Sequence, residues 1–285
     1  MILYKSISCG NDFLLVDINE WRRWAEKRPI DADQGETARN LCDRTTGIGA
    51  DGLVFYTVQG ESAGFDIFNR DGSAAELSGN GMAGLSALLF FLGRSGESIT
   101  LRTRSGDKTH RLLSREGNLF KLKIEIGEPD FQDHRFFPFL TAGQPCYRYR
   151  EISFYPVSVG NPQAVVLLEK ELTEAEMMAI GQTLEGAAIF PQRTNVGLVL
   201  PVDGGFVPGK RHIDQCRVFF YERGVGVTVS SSTGSAGVYA VLRSLCLVKE
   251  RLAIHTPLES IEISGKEKIY IENFTRIVYQ GNYLG

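Results

Sequence analysis

Two short runs in the chain carry the residue types of an anion cradle. Ser78-Gly-Asn-Gly81 and Ser231-Ser-Thr-Gly234 each stand directly before an apolar stretch of helical spacing, Met82 to Leu92 and Ala236 to Leu247. A helix N-terminus presents backbone N–H groups that lack intrahelical acceptors, together with a partial positive charge. Glycine and small side chains let a carboxylate or phosphate approach that backbone. The same residues are also ordinary helix caps, so either run alone says little. Two matched runs lead to the expectation that both helix ends converge on one anionic group between two domains. Asn11, Asn69, Asn161 and Asn195 each lie close to a glycine, a proline or a strand end, where plain turn chemistry is the alternative. Glu222-Arg223-Gly-Val-Gly226 sets an acid and a base side by side before a glycine turn. That pair suits an ammonium and a carboxylate, or else forms a solvated ion pair.

These runs belong to a longer internal repeat. Ser78/Ser231, Gly81/Gly234, Ala83/Ala236, Gly84/Gly237, Ala87/Ala240 and Leu89/Leu242 coincide in register. Upstream, Asn69-Arg70 and Glu222-Arg223 stand nine residues before their serines. Ser8-Cys-Gly-Asn11 matches Ser158-Val-Gly-Asn161, and Gly52-Leu-Val-Phe55 matches Gly197-Leu-Val-Leu200. The order is kept throughout, so coincidence in small-residue segments is the weaker explanation. The chain therefore reads as two similar halves of about 140 residues, an ordinary domain size. The first is expected over 1–118, completed by a C-terminal strand near 276–285, and the second over 119–275, after the turn-like Arg115-Glu-Gly-Asn118. Strand signals fall at Phe13–Asp17, Gly52–Thr57, Phe65–Phe68, Leu119–Ile126, Ala164–Leu168, Val196–Leu200 and Arg217–Tyr221. With one helix after each small-residue run, the fold class is α+β: two mixed domains facing each other.

The composition excludes several classes of function. With 43% hydrophobic and 23% charged residues, the 285-residue chain is an ordinary globular sequence, not a disordered tail, a collagen or a coiled coil. Charges of both signs are interspersed around a net −3, which offers no patch for nucleic acid or anionic lipid. The apolar run near Met82–Leu92 falls far short of the roughly 20 residues that span a bilayer. The first residues lack the apolar core of a signal peptide. Five cysteines, an odd number with no C-x-x-C pair, point to reduced thiols and a cytoplasmic location. No metal-ligand spacing is present.

The motifs together resemble the diaminopimelate epimerase family over nearly the full length. The strings that carry the resemblance are Gly10-Asn-Asp-Phe13 with Val16-Asp17, Leu41-Cys-Asp-Arg44, Gly47-Ile-Gly-Ala-Asp-Gly52, Phe68-Asn69, Asp71-Gly-Ser73, Glu76, Gly79-Asn-Gly81, Gly160-Asn-Pro162, Phe190-Pro191, Thr194-Asn-Val196, Glu222-Arg-Gly224, Gly226 and Thr233-Gly234. The resemblance implies two pseudo-symmetric α/β domains, each a barrel-like sheet around a central helix, closing over the substrate. It implies inversion of the α-carbon of a free amino acid in lysine and cell-wall precursor synthesis, with no pyridoxal phosphate, metal or other cofactor. One cysteine thiolate removes the α-proton and a second cysteine thiol returns a proton on the other face, while the substrate carboxylate lies on the two helix N-termini. The family's binding positions fall on Asn11, Asn69, Asn161, Asn195, Glu222 and Arg223. The carboxylate cradle falls on Gly79 and Asn80 in one half. In the other it falls on Ser232 and Thr233, where the family usually has glycine at the first position. The implied ligand is a small amino-acid substrate; a homodimer is the protein partner expected.

The departures bear on activity. Both catalytic cysteine positions are serine here, Ser78 and Ser231, the family histidine after Gly-Asn-Pro is Gln163, and the family glutamate after Gly-x-Gly is Val227. A cysteine ionises near pH 8.5, and lower at a helix N-terminus, whereas a serine needs an adjacent base. None of His110, His134, His212 and His255 lies in a matched motif, so all four read as surface or packing residues. Glu76 and Glu222 are the nearest acids by sequence, and Cys9, two residues before Asn11, is a remote surrogate thiol. Cys42, Cys146, Cys216 and Cys246 read as buried or incidental. Three readings compete: an impaired diaminopimelate epimerase or racemase, an isomerase or dehydratase on a related substrate, and a non-catalytic binder that kept the ligand cradle.

Overall fold

The computed structural model describes residues 1–27, 33–202, 206, 212–258 and 260–284. Gly285, the last residue of the expected C-terminal strand region, lies outside them. The chain divides into two compact units, Met1–Glu125 with Glu272–Gly285, and Ile126–Ile271.

The first unit grows around the run that begins at Ser78. The hydroxyl of Ser78 caps a helix, α3 (Gly79–Phe91), by accepting the N–H of Gly81 at 3.1 Å. Every residue of α3 from Gly79 to Phe90 is buried, so the helix is enclosed all round and must be the centre of its domain. It ends at Leu92 with Gly93 in the left-handed region, where Arg94 N–H reaches the Leu89 carbonyl at 2.9 Å. Two outer helices precede it, α1 (Ile18–Ala25) and α2 (Gln34–Cys42). The strands are β1 (Ile2–Ser8), β2 (Asn11–Asp17), β3 (Gly52–Gln59), β4 (Ser62–Asn69), the short β5 (Ala74–Ala75), β6 (Ser98–Thr103), β7 (Gly106–Glu116) and β8 (Leu119–Gly127), joined by the chain's last strand, β17 (Ile269–Asn282). β17 pairs antiparallel with β1, β1 with β2, β3 with β4, β6 with β7 and β7 with β8. β2–β3 and β4–β6 are parallel. Because β8 also pairs with β17, eight strands close into a barrel around α3. Closure leaves no edge strand to protect. Outside the barrel, Ala38, Leu41 and Cys42 of α2 seal Leu3, Leu14, Val16, Leu53 and Phe55.

The second unit repeats the plan. Its strands are β9 (Tyr147–Tyr149), β10 (Ile152–Ser158), β11 (Pro162–Leu167), β12 (Asn195–Pro201), β13 (Gln215–Glu222), β14 (Gly226–Thr228), β15 (Arg251–His255) and β16 (Ser260–Ser264), with α4 (Glu174–Glu185) outside and α5 (Ser232–Ser244) in the centre. The parallel pair β2–β3 has its counterpart in β11–β12, and β4–β6 in β13–β15. Antiparallel β12–β13 matches β3–β4. All residues of α5 from Ser232 to Leu242 are buried. The helix stops at Ser244, short of the Leu247 expected from periodicity. Leu245–Leu247 form the stop itself: Cys246 takes the left-handed conformation and Leu247 N–H reaches the Leu242 carbonyl at 2.8 Å. Outside, Leu184 of α4 packs on Phe154, Ala164, Val166 and Leu198, beside an edge-to-face lattice of Phe137, Phe139, Phe154 and Phe190.

Matched glycines let both central helices sit close to their sheets. A Cβ on Gly84 would lie 2.2 Å from Ser6 Oγ of β1. One on Gly237 would lie 2.9 Å from Gln163 Cγ of β11. The seven strands read from sequence and both central helices are present. The histidine read as packing is most clearly so at His110, which is wholly buried beside Ser86 Oγ at 2.8 Å.

Candidate functional site

In the first half the sequence-selected residues gather at the N-terminal end of α3. Asn11 opens β2, Asn69 closes β4, Ser78 is the cap, and Gly79 and Asn80 form the first turn. Parallel pairing of β2 with β3, Phe13 opposite Gly52, brings the residues before Gly52 alongside the start of β2. Asn80 Nδ2 donates to Asn11 Oδ1 at 2.7 Å, and Asn11 Nδ2 donates to Asp51 Oδ2 at 3.3 Å. Asn69 is held in its turn by donating to Ser73 Oγ at 3.0 Å, and Arg70 N–H donates to the Asp51 carbonyl at 3.0 Å. Behind Asn11 lies an ionic network. Asp12 takes Lys5 Nζ at 2.8 Å and Arg44 Nη2 at 2.7 Å, and Arg44 Nη2 also meets Asp51 Oδ1 at 2.8 Å. Burial alone would raise the Asp12 pKa, but hydrogen bonds and charge from Arg44 and Lys5 outweigh it and hold the carboxyl down to about 2. Cys9 sits in the β1–β2 turn with φ at 50°, its sulfur accepting Asn273 Nδ2 at 3.3 Å.

In the second half the gathering is at the N-terminal end of α5. Ser231 caps the helix, its Oγ accepting Gly234 N–H at 3.1 Å. The same hydroxyl donates to Glu222 Oε1 at 2.6 Å, the length of a charge-assisted bond. Thr233, in the first turn after Ser232, accepts Asn161 Nδ2 at 3.1 Å and Gln163 Nε2 at 3.4 Å through its hydroxyl. Gln163 Nε2 also donates to Asn161 Oδ1 at 2.8 Å. Asn195, opposite Gln163 in the parallel β11–β12 register, donates to the Pro162 carbonyl at 3.1 Å and accepts the Arg223 N–H at 3.0 Å. The Arg223 guanidinium donates to the Gln192 carbonyl at 3.3 Å. Buried Glu185, at the end of α4, ion-pairs with Arg193 at 2.5 Å and accepts Gly224 N–H at 3.0 Å, anchoring the turn that carries Glu222 and Arg223.

The order of strands, the two capped central helices and this distribution of polar residues can be set beside known proteins. A family model described as diaminopimelate epimerase matches residues 3–132. A diaminopimelate epimerase from Synechococcus sp. is 33% identical over 82% of this chain and 80% of its own length. The chain belongs to the diaminopimelate epimerase family. Another family member, from Carboxydothermus hydrogenoformans, is 28% identical with both chains covered completely. Among solved structures, a hydroxyproline epimerase from Agrobacterium vitis with bound trans-4-hydroxy-L-proline matches with a TM-score of 0.63 and 15% identity, over 99% of this chain and 90% of that one. A predicted epimerase from Pseudomonas aeruginosa matches with a TM-score of 0.63 and 16% identity, over 100% of this chain and 99% of that one. These two likenesses establish the fold.

Within the diaminopimelate epimerase fold, each half assembles its own share of the residues selected from sequence: Asn11, Asn69, Ser78, Gly79 and Asn80 in the first, Asn161, Asn195, Glu222, Arg223, Ser231, Ser232 and Thr233 in the second. Sequence reasoning did not single out the network of Lys5, Asp12, Arg44 and Asp51, nor the Glu185–Arg193 clamp. The signal for the first was present, since Asp12, Arg44 and Asp51 all fall inside strings shared with the family. Glu185 had no such signal. Burial pushes the thiols of Cys42 and Cys216 up to about 12, so neither is poised to react near neutral pH. Among the described residues no three His, Cys, Asp or Glu side chains cluster to hold a metal ion, and no helix is long and apolar enough to cross a membrane. A cavity of about 780 Å³ in the second half, lined by Asp214, Lys249, Glu250, Arg251, Glu262 and Lys266 among others, includes none of the candidate residues.

Proposed function

We propose that the protein is a cofactor-independent epimerase or racemase of diaminopimelate-like amino acids, serving lysine and cell-wall precursor synthesis in the cytoplasm, with diverged acid–base groups. On this reading Ser78 and Ser231 stand where the family carries its two catalytic cysteines. The observation that supports it most is the identity of the two caps. Ser78 has φ, ψ of −141°, 115° and Ser231 has −144°, 117°, and each hydroxyl accepts the N–H of the glycine three residues on at 3.1 Å. Two helix N-termini so prepared favour a carboxylate by dipole and by N–H donors. Arg223 supplies a fixed positive charge and Glu222 a negative one, the complement of a second carboxylate and an ammonium.

In the proposed exchange the Cα–H bond breaks, a base takes the proton and a proton returns to the same carbon. A serine hydroxyl is a poor base by itself, but the Ser231 hydroxyl donates a hydrogen bond to the Glu222 carboxylate at 2.6 Å. That pair is the acid–base element the reading relies on, and it predicts slow turnover. Binding without turnover is the second reading. It is favoured by Gln163, a neutral amide engaged by Asn161 and Thr233, which cannot titrate.

The test is proton exchange. The protein is incubated with L,L-diaminopimelate in deuterated water and the α-proton signal is followed by NMR. Loss of that signal at enzymatic rates supports the epimerase reading. Tight binding by calorimetry with no exchange supports the binder, and neither binding nor exchange overturns both.

A further inference from the structure

The charged network of the first half has an internal division of labour. Asp12 is the electrostatic centre, because both Lys5 and Arg44 pair with it. Asp51 does something else. Its Oδ1 is held by Arg44 Nη2 at 2.8 Å, and its Oδ2 accepts both the Asp12 N–H at 3.1 Å and Asn11 Nδ2 at 3.3 Å. Asp51 N–H in turn donates to Asp12 Oδ1 at 3.1 Å, so the two carboxylates are laced to each other's backbones. An ionised carboxylate only accepts hydrogen bonds. An amide facing it must therefore present its NH2 group and turn its oxygen away. Asn11 does this, and its oxygen meets Asn80 Nδ2 at 2.7 Å in the first turn of α3. Asp51 is thus joined through Asn11 to the buried amide of Asn80 in the first turn of α3.

We propose that Asp51 is a positioning residue of this family member: its carboxylate, clamped by Arg44 and the Asp12 backbone, fixes the amide of Asn11 and through it the amide of Asn80. The consequence is chemical. With one N–H on Asp51 and its oxygen accepting from Asn80, Asn11 keeps a second N–H to offer, which suits an acceptor such as a carboxylate. The part of this inference that concerns ligand selection rests on the proposed function; the orientation of the amides does not.

The experiment separates the two. Asp51→Asn keeps the shape of the side chain but offers an NH2 group where a carboxylate stood, which lets Asn11 turn over. Side-chain amide signals of Asn11 and Asn80 are compared in ¹⁵N–¹H spectra of the free full-length proteins, alongside their thermal unfolding. The expected result is displacement of both amide signals in Asp51→Asn with folding retained. Unmoved signals in a folded variant overturn the proposal. Should Asp51→Asn not fold, Asp51→Ser removes the same carboxylate and is read by the same outcomes. Affinity for L,L-diaminopimelate is then measured by calorimetry in a double-variant cycle with Asn11→Ala. Asp51→Asn alone is expected to weaken binding roughly tenfold, the scale of a lost charge-assisted contact. In the Asn11→Ala background it should have no further effect, because Asp51 acts through Asn11. Two effects that simply add overturn the assignment of ligand selection to this route. A parent protein that binds no diaminopimelate instead overturns the functional reading, and the amide spectra still decide the role of Asp51.

Discussion

Ser78 and Ser231 occupy matched caps, yet the two halves furnish them differently. In the second half the cap hydroxyl meets a carboxylate, Glu222, at 2.6 Å, and the asparagine beside the helix end is bonded to neutral partners, Gln163 and Thr233. In the first half the asparagine at the helix end is backed by four charges, Lys5, Asp12, Arg44 and Asp51, with Arg44 about half exposed. The second half places its structural ion pair, Glu185–Arg193, with the carboxylate nearly dry, at 6% side-chain exposure. A repeated fold has kept the geometry of the backbone while the side chains around the caps took separate paths. The backbone is held by packing around a buried helix, where one wrong Cβ is costly.

The largest effect expected is on chemistry. Ser78→Cys with Ser231→Cys should raise α-proton exchange on L,L-diaminopimelate by about 10²–10⁴-fold, the usual worth of a well-matched acid or base. Each single change should do less. A double variant that binds as the parent does and shows no exchange by NMR would count against Ser78 and Ser231 as the acid–base pair.

The next effect is on stability and tests the buried clamp. Arg193→Ala leaves the Glu185 carboxylate buried beside Gly224 without its cation. The loss should be about 2–3 kcal/mol, below the full cost of breaking a buried pair because Arg193 is itself half exposed. The urea midpoint measures it. Arg44→Ala, in the more open network of the first half, should cost about 1 kcal/mol or less. Equal losses would erase the contrast between the two networks.

A binding comparison follows. Arg223→Ala should weaken a dicarboxylic amino acid by about tenfold, through loss of a charge-assisted contact. Calorimetry giving the parent's affinity would remove Arg223 from the ligand set.

The smallest effect is on acid stability. Asp12 is held down to about 2 from an ordinary 3.8, so its contribution is fully present above 3.8 and is lost as the pH falls through about 2. After screening through half-exposed Arg44, the contribution is about 1 kcal/mol. Denaturant midpoints between those pH values should fall more steeply for the parent than for Asp12→Asn. Parallel slopes would assign the acid response to other carboxylates.

The sequence by itself determined the repeat, the two capped helices and the family. These rest on local rules: a serine before glycine and then an apolar run with small residues at fixed steps specifies cap, helix and close approach wherever the chain places them. The helix stop at Leu245–Leu247 was less legible, because Cys246 does there what Gly93 does in the first half. Asn11, Asn161, Asn195, Glu222 and Arg223 could be selected as residue types but not joined to partners. The tertiary structure alone decided that Asn80 bonds Asn11, that Asp51 sets Asn11's amide, that Glu222 meets Ser231 and that Glu185 braces the Arg223 turn. Those pairs lie from nine to sixty-nine positions apart in the chain. Hydrogen bonds are short-ranged and directional, so they exist only where strand pairing and packing bring helix ends, turns and strand ends together. No local pattern of residues encodes that register; it is fixed when each sheet packs around its own buried helix.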